Sequence, residues 1–148
     1  MVLLLRISLA MLIYASATSQ GRTEGRRIAG PVRAELIRVI DGDTLLVAAA
    51  PWPDHRITTY VRLRGIDAPE LKSPCAATRQ AATRAQEVLT SLVEGAPLLL
   101  EDISGDKYYG RVLARVTLGD GRDAGGALLS EGLAVPYGGG RKLKVSCE

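Results

Sequence analysis

The chain has 148 residues, 47% of them hydrophobic and 24% charged, the balance of one globular domain with a modest core. Its net charge of +3 is too small to mark a partner by itself. One histidine, His55, and two distant cysteines leave no ligand set for zinc.

Residues 1–17 read as an export signal. Arg6 is the only charge there, Ile7 to Tyr14 form an apolar core, and Ala15-Ser16-Ala17 fits a small-x-small cleavage site. The run is short and interrupted for a membrane span, which needs about 20 apolar residues, and an uncleaved amphipathic anchor is the alternative to cleavage. Residues 18–31 are rich in Gly, Arg, Ser and Thr and read as a flexible linker. Residues 32–148 form the folded domain. Basic residues gather at Arg22, Arg26, Arg27, Arg33 and Arg38, and again at Arg141, Lys142 and Lys144. They are either solvated ends or a surface that attracts phosphate.

A strand is expected over Arg33 to Ile40, a turn at Asp41-Gly42, and a second strand from Thr44 to Ala49. Pro51 to His55 reads as a loop and Ile57 to Ile66 as a third strand. Alternation puts Val61 and Leu63 on one face and Tyr60, Arg62, Arg64 and Ile66 on the other. Ser73-Pro74 reads as a helix start, with Ala81, Ala85, Val88, Leu89 and Leu92 in helical period and Gly95 and Pro97 as the stop. Leu98 to Ile103 and Arg111 to Leu118 are two further strands. Asp123 caps a short helix that runs through Glu131 to Gly132. The tail from Gly138 is glycine-rich and basic. Three strands, a helix, two strands and a helix suit a mainly β domain with helices, a five-stranded Greek-key barrel of the oligonucleotide-binding type.

Cys75 and Cys147 form an even pair. In an exported chain they imply a disulfide tying the chain end to the start of the main helix; two free thiols are the alternative.

The residues that carry chemistry sit at strand ends. Asp41-Gly-Asp43-Thr44 opens the second strand, and Arg62-Leu-Arg-Gly-Ile-Asp67-Ala-Pro-Glu70 follows the third. Asp106-Lys-Tyr-Tyr-Gly-Arg111 enters the fifth. Each alone is ordinary turn or surface chemistry. Together, three carboxylates and two arginines are suited to holding a hard metal ion and clamping a phosphodiester while water attacks it. Both arginines are expected at a solvent-facing site, so that losing either leaves folding largely intact.

These blocks, with Val39-Ile-Asp-Gly-Asp-Thr44 and Glu131-Gly-Leu-Ala134 in the same order, resemble the staphylococcal nuclease (thermonuclease) family over about Val32 to Tyr137. The resemblance implies a calcium-dependent nuclease on an oligonucleotide-binding barrel. It implies calcium at Asp43, Asp67 and the backbone carbonyl of Ala68, with Glu70 as general base and Arg62 and Arg111 as phosphate-binding groups. It further implies DNA and RNA as substrates, cleaved to leave 3′-phosphate ends. Lys107, Tyr108, Tyr109 and Tyr137 are the candidate substrate contacts.

The chain departs from the family pattern in three places. Ala68 stands where a threonine is usual, an extra tyrosine leaves Tyr108 and Tyr109 as alternatives for one role, and the long C-terminal helix is missing. A monomer without a stable protein partner, in the periplasm or outside the cell, is the expected form. The rival reading is a catalytically silent barrel that binds nucleic acid or protein.

Overall fold

The computed structural model describes residues 26–142 and Cys147. The expected export signal, linker residues 18–25 and Lys144 lie outside the described residues. Described elements run in the order β1 (Arg27–Ile28), β2 (Val32–Asp41), β3 (Thr44–Trp52), β4 (His55–Leu63), β5 (Ile66–Asp67), α1 (Ala76–Val93), β6 (Leu98–Gly105), β7 (Arg111–Leu118), α2 (Ala124–Ser130) and β8 (Val135–Pro136).

β2, β3 and β4 form an antiparallel meander. β7 then pairs parallel to β4, and β6 pairs with both β7 and β2, which closes a five-stranded mixed barrel. A parallel pair needs a long crossover, and α1 with β6 provides it. The architecture is the expected oligonucleotide-binding barrel with two helices.

Alternation fills the barrel. Leu45 and Val47 of β3, Val61 and Leu63 of β4, Leu98 and Leu100 of β6, and Val116 and Leu118 of β7 are all buried. Ala82, Ala85, Leu89 and Val93 repeat at helical spacing on the buried side of α1, and Leu89 and Val93 join Leu128 of α2 in the same core. Truncating a side chain such as Leu89 to alanine costs about 2–5 kcal/mol at a site of this kind.

The structure corrects five local expectations. The third strand stops at Leu63, because Gly65 takes φ +85° and turns the chain. That turn resets the alternation, so Ile66 is buried in the core rather than sharing the outward face of Arg62. The hairpin after β3 is tighter than the expected loop, with only Pro53 and Asp54 between strands. The first helical residue is Ala76, and Ser73 accepts a hydrogen bond from the Cys75 amide at 3.2 Å rather than capping the helix itself. Residues 27–28, within the expected linker, pair with Ser104 and Ile103.

Asp123 does cap α2, accepting from the Gly125 amide at 3.2 Å. Cys75 and Cys147 are joined in a disulfide, with their Cα atoms 5.4 Å apart. Closing a loop of 72 residues removes about 4 kcal/mol of unfolded-chain entropy on the loop-closure account.

Candidate active site

The β2–β3 turn brings in the first carboxylate. Gly42 lies so close to α1 that a Cβ there would stand 2.8 Å from the Cβ atoms of both Ala68 and Ala85. Only glycine allows that approach. Gln86 of α1 donates to the Ile40 carbonyl at 3.0 Å and locks the turn to the helix. Asp43 is consequently only 3% exposed.

Three donors engage its carboxylate. Oδ1 accepts from Arg62 Nη1 at 2.7 Å and from the Thr44 hydroxyl at 3.0 Å, and Oδ2 accepts from the Ala68 amide at 2.9 Å. Burial pushes the Asp43 carboxyl up to about 6, against the downward pull of the Ala68 amide and of Arg62. A buried carboxylate perturbed in a cleft is the kind of group that functional sites concentrate.

Arg62 leaves the outer face of β4 between the inward Val61 and Leu63, as alternation predicts. Its Nη2 donates to Asp67 Oδ1 at 2.6 Å, so one guanidinium holds Asp43 and Asp67 side by side. Burial opposes its charge, but Asp43 and Asp67 outweigh burial and raise its pKa. The site is less open than expected, since the Arg62 side chain is only 12% exposed. Arg64, two residues on, takes another path. It donates to the Asp102 carbonyl, to Ser104 Oγ at 2.6 Å and to the Leu113 carbonyl, tying β6 to β7.

Asp67 owes its place to β5, which pairs with β8 across Ile66–Pro136 and Asp67–Val135. Glu70, three residues later, is largely exposed and reaches Lys142 Nζ at 3.1 Å. The same ammonium lies 2.8 Å from Asp67 Oδ1. Burial works against the Lys142 charge, but Asp67 and Glu70 overcome it and raise its pKa.

Parallel register sets Tyr60 beside Arg111 and Arg62 beside Leu113, so both arginines leave the same wall of the barrel. Arg111 Nε donates to Asp106, whose other oxygen accepts from the Lys107 amide at 2.7 Å. The guanidinium lies 4.7 Å from the Tyr108 ring centre, and Lys107 Nζ lies 5.0 Å from it.

These groups line one open cleft of about 1060 Å³, with Asp43, Arg62 and Glu70 on one side, Lys107, Tyr108 and Arg111 on another, and Tyr137 and Lys142 from the tail. Tyr108 lines the cleft, whereas Tyr109 is fully exposed to solvent and does not. Ala68 is buried and presents its amide to Asp43. Sequence reading missed Asp106 and Lys142 as partners of site residues. Asp106 was open to discovery, lying five residues before Arg111 across a glycine turn.

A scan against protein-family models matches the staphylococcal nuclease homologue family over residues 60–144, more than half of the chain. The chain belongs to the staphylococcal nuclease family. The family match takes in Arg62, Asp67, Glu70 and Arg111, while Asp43 lies before it. A search of curated proteins finds no match. Within this nuclease-family domain, no helix among the described residues is long and apolar enough to cross a membrane.

Proposed function

We propose that this domain is an exported, calcium-dependent nuclease that hydrolyses phosphodiester bonds of DNA and RNA and leaves 3′-phosphate ends. The observation that carries the reading is the single Arg62 guanidinium joining Asp43 to Asp67 in a cleft that Arg111 shares. Family membership supports the reaction class, and the disulfide supports an oxidising compartment, periplasmic or extracellular. Residues 1–17 would be removed on export, and the domain of residues 32–148 would act as a monomer.

The donor set suits a hard cation. Asp67 Oδ1 already draws two cationic groups, Arg62 at 2.6 Å and Lys142 at 2.8 Å. All the donors are oxygens, as calcium prefers. Asp43, Asp67 and the Ala68 carbonyl would hold the ion, whose charge polarises a phosphodiester oxygen when bound.

The chain's own groups do the rest. Glu70, open to solvent, accepts the proton of the attacking water; a positioned base contributes about 10²–10⁴-fold. Arg111 is held through Nε by Asp106, which leaves its two Nη groups for the phosphate. Arg62 offers its remaining N–H donors to the charge that builds on the phosphorus oxygens. Lys107, Tyr108 and Tyr137 present charge and ring faces along the same cleft to the rest of the strand.

Digestion of single-stranded DNA and of RNA with calcium or with EGTA tests the proposal. Cleavage in calcium, loss in EGTA and no rescue by magnesium alone are expected, since magnesium demands a stricter octahedral geometry. Full activity in EGTA refutes the metal assignment. Binding without cleavage in calcium supports the silent-barrel reading instead.

A further inference from the structure

Lys142 is not a stray surface cation. The segment that carries it begins at β8, the strand paired to the one that presents Asp67. The Tyr137 amide donates to the Gly65 carbonyl at 2.8 Å and extends that pairing by one residue. The Tyr137 hydroxyl then donates to the Gly140 carbonyl at 2.6 Å and closes a tight loop. Gly139 and Gly140 adopt φ +98° and +96°, a region that residues with a Cβ rarely enter. The loop folds the chain back over the cleft, and Lys142 arrives between two carboxylates. Its ammonium lies 2.8 Å from Asp67 Oδ1 and 3.1 Å from Glu70 Oε1. One Asp67 oxygen thus faces Arg62 from the barrel and Lys142 from the tail.

We propose that Lys142 is a built-in counter-cation of Asp67 and Glu70 that a divalent metal ion must displace, so that this lysine sets the metal affinity of the site. The inference rests on reading Asp67 as a metal ligand, with Glu70 beside it as the base. A calcium ion binds a carboxylate oxygen at about 2.3–2.6 Å. An ammonium already in hydrogen-bond contact with that oxygen would then be a second cation within a few ångströms of the first, and the two repel. Without metal, Lys142 offsets the mutual repulsion of Asp67 and Glu70 and holds Glu70 toward the site. With metal, it is released into a cleft that already contains Arg62 and Arg111. Because Lys142 is 41% exposed, the competition is moderate in strength.

Calorimetric titration of the oxidised full-length protein with calcium chloride decides the matter, without substrate and without an activity readout. Lys142→Gln is expected to bind calcium about tenfold more tightly than the parent, from relief of repulsion at two carboxylates. Arg141→Gln removes the same charge one residue away and is expected to stay within about twofold. An unchanged or weaker affinity in Lys142→Gln, with the parent binding calcium, overturns the inference and leaves the nuclease reading in place. An equal gain in Arg141→Gln overturns it as well, by showing a diffuse charge effect. Absence of calcium binding in every variant overturns the metal reading and this inference with it.

Discussion

The cleft has two halves built on different principles. The inner half, Asp43, Thr44, Arg62 and the Ala68 amide, is buried and joined by hydrogen bonds of 2.7–3.0 Å. Strands β3 and β4 and the glycine-pinned turn fix its positions. The outer half, Glu70 and Lys142, lies on loops, with side chains 67% and 41% exposed. There the link is an ion pair between two long, solvated side chains. The inner half is therefore part of the fold as well as of the site, whereas the outer half can change its chemistry with little effect on stability.

Arg62→Ala should show the largest effect. Removing the guanidinium strips the buried Asp43 of its charged partner and breaks its link to Asp67. Losing one partner of a buried pair costs several kcal/mol, and with Arg62 slightly exposed about 2–4 kcal/mol is expected in EGTA. On the proposed mechanism turnover should fall by at least about 10²-fold, with the loss of a donor aimed at the transition state. Chemical denaturation and a cleavage assay on the same preparation measure both. A variant as stable as the parent would place Arg62 with the outer half and break the comparison.

Glu70→Gln is the matching test on the outer side. If Glu70 is the proposed general base, turnover should drop by about 10²–10⁴-fold, the contribution of a positioned base. Stability should move by no more than about 0.5 kcal/mol, because the group is exposed and its Lys142 contact is a surface pair. A denaturation midpoint displaced as far as that of Arg62→Ala would show that Glu70 also supports the fold.

The inner half was largely legible in the sequence, because strand alternation decides it. With Val61 and Leu63 required inside the barrel, Arg62 had to point outward, and the Asp41-Gly42 turn had to set Asp43 at the start of β3. Family membership and the barrel agree with that order of elements. The outer half was not legible, because no periodicity reaches it. Lys142 meets Asp67 only through the short pairing of β5 with β8 and a loop of glycines. Ile66 was misplaced for a related reason: one glycine at positive φ ended the alternation on which its assignment relied. Which of Tyr108 and Tyr109 lies beside Arg111 likewise waited on tertiary structure: Arg111 lies over Tyr108, while Tyr109 is exposed to solvent.

A test read in stability alone sharpens the comparison within the inner half itself. Thr44 is buried, and its hydroxyl donates to Asp43 Oδ1 at 3.0 Å. Thr44→Val keeps the branched shape of the side chain and removes that donor. A hydrogen bond to a charged group contributes about 1.5–3 kcal/mol, and two other donors still serve the carboxylate, so a loss of about 1–2 kcal/mol is expected. The substitution also places a methyl group where a hydroxyl stood, which alters packing by itself. A double-mutant cycle with Asp43→Ala separates the two effects. If the hydroxyl acts through Asp43, Thr44→Val should cost little once the carboxylate is gone, leaving a coupling of about 1 kcal/mol or more. Equal costs in both backgrounds would show that Thr44 serves the barrel wall and not the carboxylate, and the inner half would shrink to Asp43, Arg62 and the Ala68 amide.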